Sequence, residues 1–184
     1  MTVRPFRISD WPTWRDSFVP PASSHPTNPK DLSEHGFRDK VARERKGMAL
    51  DLVYALGIFD GRTRQLHGAI DLYVICRLDL QLGHVGYWLH PRSRGQGHAT
   101  DALRLAAEIA FDDLHLHRLE ASISLDNKKS IALAKRAGMI REGIRRSWCW
   151  EDDQWADHVV YSFTGSEDKP RVRPRYRDEL RRLG

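Results

Sequence analysis

With two cysteines in 184 residues, Cys76 and Cys149, the chain has no disulfide framework to hold it together, and a reducing compartment is expected. No apolar run approaches the ~20 residues needed to cross a bilayer. Polar and charged residues interrupt the first twenty positions, so nothing there reads as a secretory leader and a cytoplasmic setting is expected. No segment repeats. The pairs His115/His117 and His84/His90 lack Cys, Asp or Glu companions at ligand spacing, so no metal is expected. Neither Gly-x-x-x-x-Gly-Lys-Ser/Thr nor Gly-x-Gly-x-x-Gly occurs, which removes the P-loop and the dinucleotide fingerprint.

What is present is a chain long enough for one well-buried core without staples. Its net charge of +5 is unevenly placed: residues 167–182 hold seven Lys/Arg against four Asp/Glu. The sequence is therefore divided into one domain over 1–164 and a basic tail over 165–184. Such a tail is ordinarily a solvated terminus, and RNA contact through it is a minor reading. With the remainder only weakly basic, a nucleic-acid protein is not expected.

Periodicity outlines the elements. Residues 2–8 alternate as a strand, a short helix carries Trp11, Trp14 and Phe18, and residues 20–29 form a proline-rich loop. A charged helix to about Met48 is followed by strands 51–59 and 66–75 around Asp60-Gly61, and by a strand over 80–89. Ala99, Leu103, Ala106, Ala110 and Leu114 form one face of a helix over 97–114. Strand 117–124, helix 127–137 stopped by Gly138, and strands 139–150 and 155–163 complete an α/β order.

The most informative stretch is His90-Pro91-Arg92-Ser93-Arg94-Gly95-Gln96-Gly97-His98-Ala99, set between a strand and that helix. A glycine turn opening into a helix N-terminus presents unpaired N–H groups and the positive dipole end, which together bind anions. Gly95 and Gly97 admit close approach of a phosphate, and Arg92 and Arg94 add forked positive charge. A phosphorylated ligand is expected here.

Arg92, Gly95 and Gly97 fit Arg/Gln-x-x-Gly-x-Gly/Ala, which resembles the pyrophosphate loop of the GNAT N-acetyltransferases. Gly86-Tyr87-Trp88-Leu89-His90-Pro91 before it, with Asp126-Asn127-Lys128-Lys129-Ser130, Ala137-Gly138-Met139 and Asp157-His158-Val159-Val160-Tyr161 after it, resembles the RimJ/RimL-like branch that acetylates ribosomal-protein N-termini. The likeness runs from about Thr2 to Phe163. It implies a mixed, mostly antiparallel sheet, splayed between its fourth and fifth strands and flanked by helices. It also implies acetyl-CoA as cosubstrate, held by Trp88, Leu89, Arg92, Arg94, Gly95, Gln96, Gly97, His98, Ala99, Asn127 and Ser130. The acceptor implied is an amine, first a protein N-terminal α-amine. Small-amine or antibiotic acylation, another acyl group and a non-catalytic acyl-CoA binder remain alternatives, and a homodimer is left open.

Acyl transfer to an amine needs a polarised carbonyl, a deprotonated amine and a protonated leaving thiolate. In the resembled family the first task falls to backbone N–H groups, here around Trp88 and Leu89. The candidate bases are His84, which stands where relatives carry Glu, and Glu120 across the splay; a water relay is a third option. The tyrosine acid of many relatives is replaced by Ala134, leaving Ser130 as the hydroxyl beside the thioester sulfur. The family also implies that residues 18–35 and the hairpin with Trp148, Trp150, Trp155 and acidic 151–153 wall the acceptor slot.

Overall fold

A computed structural model of the chain describes residues 1–18, 29 and 31–165. The proline-rich loop, apart from Pro29, and the tail beyond Gly165 lie outside the described residues. In chain order the elements are β1 (Thr2–Pro5), α1 (Trp11–Ser17), α2 (Glu34–Ala49), β2 (Val53–Phe59), β3 (Leu66–Cys76), β4 (Leu82–Leu89), α3 (His98–Glu108), β5 (Arg118–Ser124), α4 (Lys128–Ala137), β6 (Ile140–Glu151) and β7 (Gln154–Thr164). The seven strands form one sheet in the order β1-β2-β3-β4-β5-β7-β6. All neighbours are antiparallel except β4 and β5.

The period-2 pattern of the strands sorts side chains onto two faces. On one, α3 and α4 bury Leu103, Ala106 and Ala134 against Leu56, Ile70, Val85, Leu119 and Tyr161. On the other, α1 and α2 bring Trp14, Phe37 and Val41 onto Phe6, Phe59 and Ala69, with Trp88 packed alongside. Over β5, β6 and β7 that second face instead carries Glu120, Ser122, Glu142, Arg145 and Ser162, tied together by ion pairs and hydrogen bonds.

Three elements depart from their sequence pattern. The first strand stops at Pro5, because the Asp10 carboxylate accepts from the Arg7 N–H at 2.8 Å and from Arg4 at 2.7 and 2.8 Å, folding residues 8–10 into a 3-10 turn. Asp60-Gly61 opens a loop running to Gln65 rather than a two-residue turn; Asp60 Oδ1 accepts from the backbone of Arg62 and Thr63, which holds its pKa at about 2. The helix after the glycine loop is α only to Glu108. It then widens into a π-turn over Ile109–Asp113, closed by Leu114 N–H donating to Ile109 O, and both Leu114 and Leu116 enter the core.

The decisive feature is a fork. β4 and β5 pair at only three positions: Leu82 with Arg118, Gly83 with Leu119 and His84 with Glu120. Beyond these, β4 continues to Leu89 and β5 to Ser124 unpaired with each other.

Candidate active site

The open end of the fork meets the glycine loop. Gly95 and Gly97 have φ of 76° and 85°, in the left-handed region that side chains resist. A Cβ built on either meets nothing within 4 Å, so the space above the loop is clear. Gly97 is the N-cap of α3 and supplies no side-chain cap, leaving the first N–H groups of the helix, at His98 and Ala99, for a ligand. Arg92, Arg94 and Gln96 are exposed around it; Arg94 Nε donates to Leu89 O at 3.2 Å, and Gln96 Nε2 to Arg92 O at 2.8 Å. Beneath, the His98 ring stacks on His67 at 4.0 Å, and His67 Nδ1 lies 3.0 Å from Ser93 Oγ. Burial, then the charges of Arg92 and Arg94, push His90 down to about 4, so it adds no charge of its own at neutral pH.

Backbone direction within β4 decides what lines the fork. His90 N–H donates to His67 O, and a Cβ on Gly68 would fall 2.1 Å from Trp88 O, so residues 88 and 90 turn their peptide groups toward β3. Antiparallel alternation then turns those of Tyr87 and Leu89 into the fork. Of the two β4 residues expected to hold the cofactor, Leu89 turns its peptide groups into the fork, while Trp88 turns its carbonyl toward β3 and packs its ring on Phe18 and His90. Tyr87, not singled out from the sequence, also turns its peptide groups into the fork.

His84 sits at the apex of the fork. Its Nε2 accepts the Ser122 N–H at 3.0 Å, supplying the acceptor that a continued ladder would have provided. That bond assigns the proton to Nδ1, and burial holds the ring's pKa below the usual histidine value. The imidazole is a wedge between strands, and its Nε2 lone pair is engaged. His84→Gln, which keeps an acceptor, should bind acetyl-CoA within about threefold of the native chain. His84→Leu strands a backbone donor at a cost of about 1–3 kcal/mol and should bind distinctly more weakly. Equal losses of rate in both, with binding unchanged, would return His84 to the role of base.

Glu120 is 5% exposed, and both its oxygens are occupied, Oε1 by Arg118 Nε at 2.8 Å and Oε2 by Arg145 at 2.6 Å. Asn127 caps α4, its Oδ1 accepting from Ser130 N–H at 3.1 Å. The Ser130 hydroxyl faces the buried Tyr87 hydroxyl, whose pKa burial raises. The structure therefore brings Tyr87, Asn127 and Ser130 together at the fork and keeps His84 and Glu120 at its closed end.

Trp150 and Trp155 stand directly opposed across the last hairpin, 5.6 Å apart, with Asp152 and Asp153 forming its turn. Among the described residues, the histidine pairs noted in the sequence join no metal-ligating group. Cys149, Glu151 and His158 do place ligand atoms within 4.8 Å of one another, with His158 Nε2 already 3.1 Å from Glu151 Oε1.

The acetyltransferase (GNAT) domain model matches residues 1–140 of this fork-and-loop chain. The chain belongs to the GNAT acetyltransferase family. A probable N-acetyltransferase of Bacillus subtilis, YjcK, is 33% identical over 73% of this GNAT chain and 74% of its own length. The ribosomal protein uS5-alanine N-acetyltransferase of Escherichia coli is 27% identical over 64% of this chain and 60% of its own length. Among solved structures, the ribosomal-protein-S5-alanine acetyltransferase of Vibrio fischeri superposes with a TM-score of 0.76 at 23% identity, covering 91% and 94% of the two chains. Mycobacterium smegmatis RimJ, solved with CoA-disulfide, gives 0.73 at 22%, covering 88% and 80%. These place the chain near the RimJ/RimL-like branch and give it the GNAT fold. No helix among the described residues is long and apolar enough to cross a membrane.

Proposed function

We propose that this acetyltransferase moves an acetyl group from acetyl-CoA to a primary amine, with a protein N-terminal α-amine as its first acceptor. The observation that carries this is the fork itself: the β4 edge at Tyr87 and Leu89, which pairs with no β5 residue, leads from a clear, left-handed glycine loop toward a closed apex. The residues present fit acetyl-CoA, because the loop has the donors and open space a pyrophosphate needs, and the fork edge of β4 has the donors an extended amide arm needs. When bound, acetyl-CoA supplies an activated acyl group on a good leaving thiol.

Each residue then has a task. Gly95, Gly97, His98 and Ala99 offer backbone donors to the phosphates, while Arg92 and Arg94 neutralise their charge. Leu89 N–H is aimed at the thioester carbonyl oxygen, where negative charge grows during attack. Asn127 keeps its amide N–H donors for the pantetheine amides, and Ser130 with Tyr87 offers hydroxyls to the departing sulfur. The E. coli relative, named for the alanine of uS5, supports an alanine N-terminus as the first acceptor to try.

The test is thiol release from acetyl-CoA in the presence of an alanine-initiated peptide, with mass spectrometry to locate the added group. Release that disappears when the peptide is N-terminally blocked is the expected result. Saturable acetyl-CoA binding with no release for peptides, polyamines or amino sugars would make the chain a binder instead. Release only with a small amine would keep the chemistry and change the acceptor.

A further inference from the structure

Both side chains that the sequence offered as base are engaged in the structure. His84 has its Nε2 lone pair on Ser122, and Glu120 is held by two guanidinium groups. A third carboxylate lies on the same face. Asp71 of β3 stands opposite Gly86 of β4 on one side and Ala55 of β2 on the other. It is flanked by a glycine and an alanine.

Gly86 makes the connection to the fork. Its neighbours on this face, His84 and Trp88, carry large rings, whereas a Cβ on Gly86 would touch only Tyr73 Cε2, at an ordinary 3.5 Å. A gap therefore opens over Gly86 between the two rings, with the Tyr73 ring at its rim and Asp71 on the neighbouring strand. With strands about 5 Å apart, one strand's width separates the Asp71 backbone from the edge of β4 that lines the slot.

Helix α2 supplies a second carboxylate on this face. Phe37, Val41, Glu44 and Met48 recur along one stripe of that helix, so Glu44 occupies a core-facing position and meets Asp71. Lys40, one turn earlier, pairs with Glu44, and the Tyr73 hydroxyl bonds Asp71. Two carboxylates facing one ammonium group leave an uncompensated negative charge, which suits a cationic amine.

Resting on the acetyltransferase reading, we propose that Asp71 accepts the proton of the acceptor amine, which enters through the gap over Gly86. The amine nitrogen passes a proton to an Asp71 oxygen, and its freed lone pair forms the C–N bond to the thioester carbon. The C–S bond breaks, its electron pair leaves with sulfur, and the thiolate takes, through water, the second proton that the nitrogen loses as the amide forms. Burial and then the Glu44 charge raise Asp71 to about 6, closer to neutrality than an ordinary carboxylate, which improves it as a base. The groups facing it are Glu44, Lys40 and Tyr73.

The experiment uses the full chain, acetyl-CoA and an alanine-initiated tetrapeptide, followed across pH. A carboxylate base is active only when deprotonated, so kcat/KM should fall as pH drops through about 6. Asp71→Asn should lose that acid limb and about 10²-fold in kcat, with acetyl-CoA affinity within about twofold. Glu44→Gln should move the limb to lower pH, since it removes a like charge. Gly86→Leu should raise KM for the peptide with acetyl-CoA binding retained, because it fills the gap. An Asp71→Asn protein that keeps both rate and limb overturns the proposal. If the native chain binds acetyl-CoA but acetylates no peptide, the functional reading has failed separately. Carbon NMR of the Asp71 carboxyl in the CoA-saturated chain, titrated with butylamine, then decides the matter. A shift that Gly86→Leu abolishes supports an amine site; no shift in the native chain overturns it.

Discussion

An Arg94→Glu, Gly95→Glu protein is expected to bind acetyl-CoA about 10³-fold more weakly than the native chain in calorimetric titration. Two losses add. Gly95 sits at φ 76°, where any other L-residue costs about 1–2 kcal/mol, so the loop geometry relaxes away from its anion-binding form. Replacing Arg94 and filling the clear space with carboxylates removes a charge-assisted bond of about 1.5–3 kcal/mol and adds repulsion toward the phosphates. Together these reach the roughly 4 kcal/mol that a thousandfold change requires. The fold should survive, because both positions are exposed and a Cβ at Gly95 meets no neighbour. A variant with native affinity and native melting would show that the loop is a turn and nothing more.

The second large effect concerns stability. Glu120→Ala should lower the melting temperature of the ligand-free protein by roughly 10 °C, about 3 kcal/mol in a chain of this length. The carboxylate is buried between Arg118 and Arg145, and removing it leaves two guanidinium groups facing each other. Arg118 keeps Glu142, which also accepts from Ser162 Oγ at 2.7 Å; Arg145 keeps the Ser122 hydroxyl at 3.3 Å and the Trp148 ring at 4.4 Å. These remaining partners, and side chains of Arg118 and Arg145 that are 25% and 33% exposed, keep the cost at the low end for a broken buried pair. Thermal melts of Glu120→Ala, Arg145→Met and the double variant give the coupling directly. Recovery in the double variant supports the ion-pair role. A native melting temperature with a collapsed kcat would instead make Glu120 the base.

The apolar stripe of α3, the glycine loop and the caps at Asn127 and Gly138 were legible because they are local: each depends on residues a few positions apart. The strand β4 was legible from its apolar run as well. Its partners were not. Nothing near His84 in sequence says that its ring meets Ser122, thirty-eight residues on. Nothing near Glu120 says that an arginine from β6 reaches it. The reversal of backbone direction at Trp88 was hidden for the same reason, since it depends on which edge of β4 faces β3.

Asp71 shows the boundary most clearly. Glu44 stands in the stripe of Phe37, Val41 and Met48, a carboxylate where the helix buries apolar groups. Its meaning depends on β3 running beside β4 with Asp71 opposite Gly86, a register set by packing of the whole sheet.

By itself the sequence determined the glycine loop, the helix that follows it, the alternating strands and the family they resemble, all through short-range periodicity and turn chemistry. The tertiary structure alone decided where β4 leaves β5, which peptide groups that leaves open, and which carboxylate stands opposite Gly86. Those depend on hydrogen bonds and charges between strands distant in sequence, whose pairing is settled only when both faces of the sheet are buried.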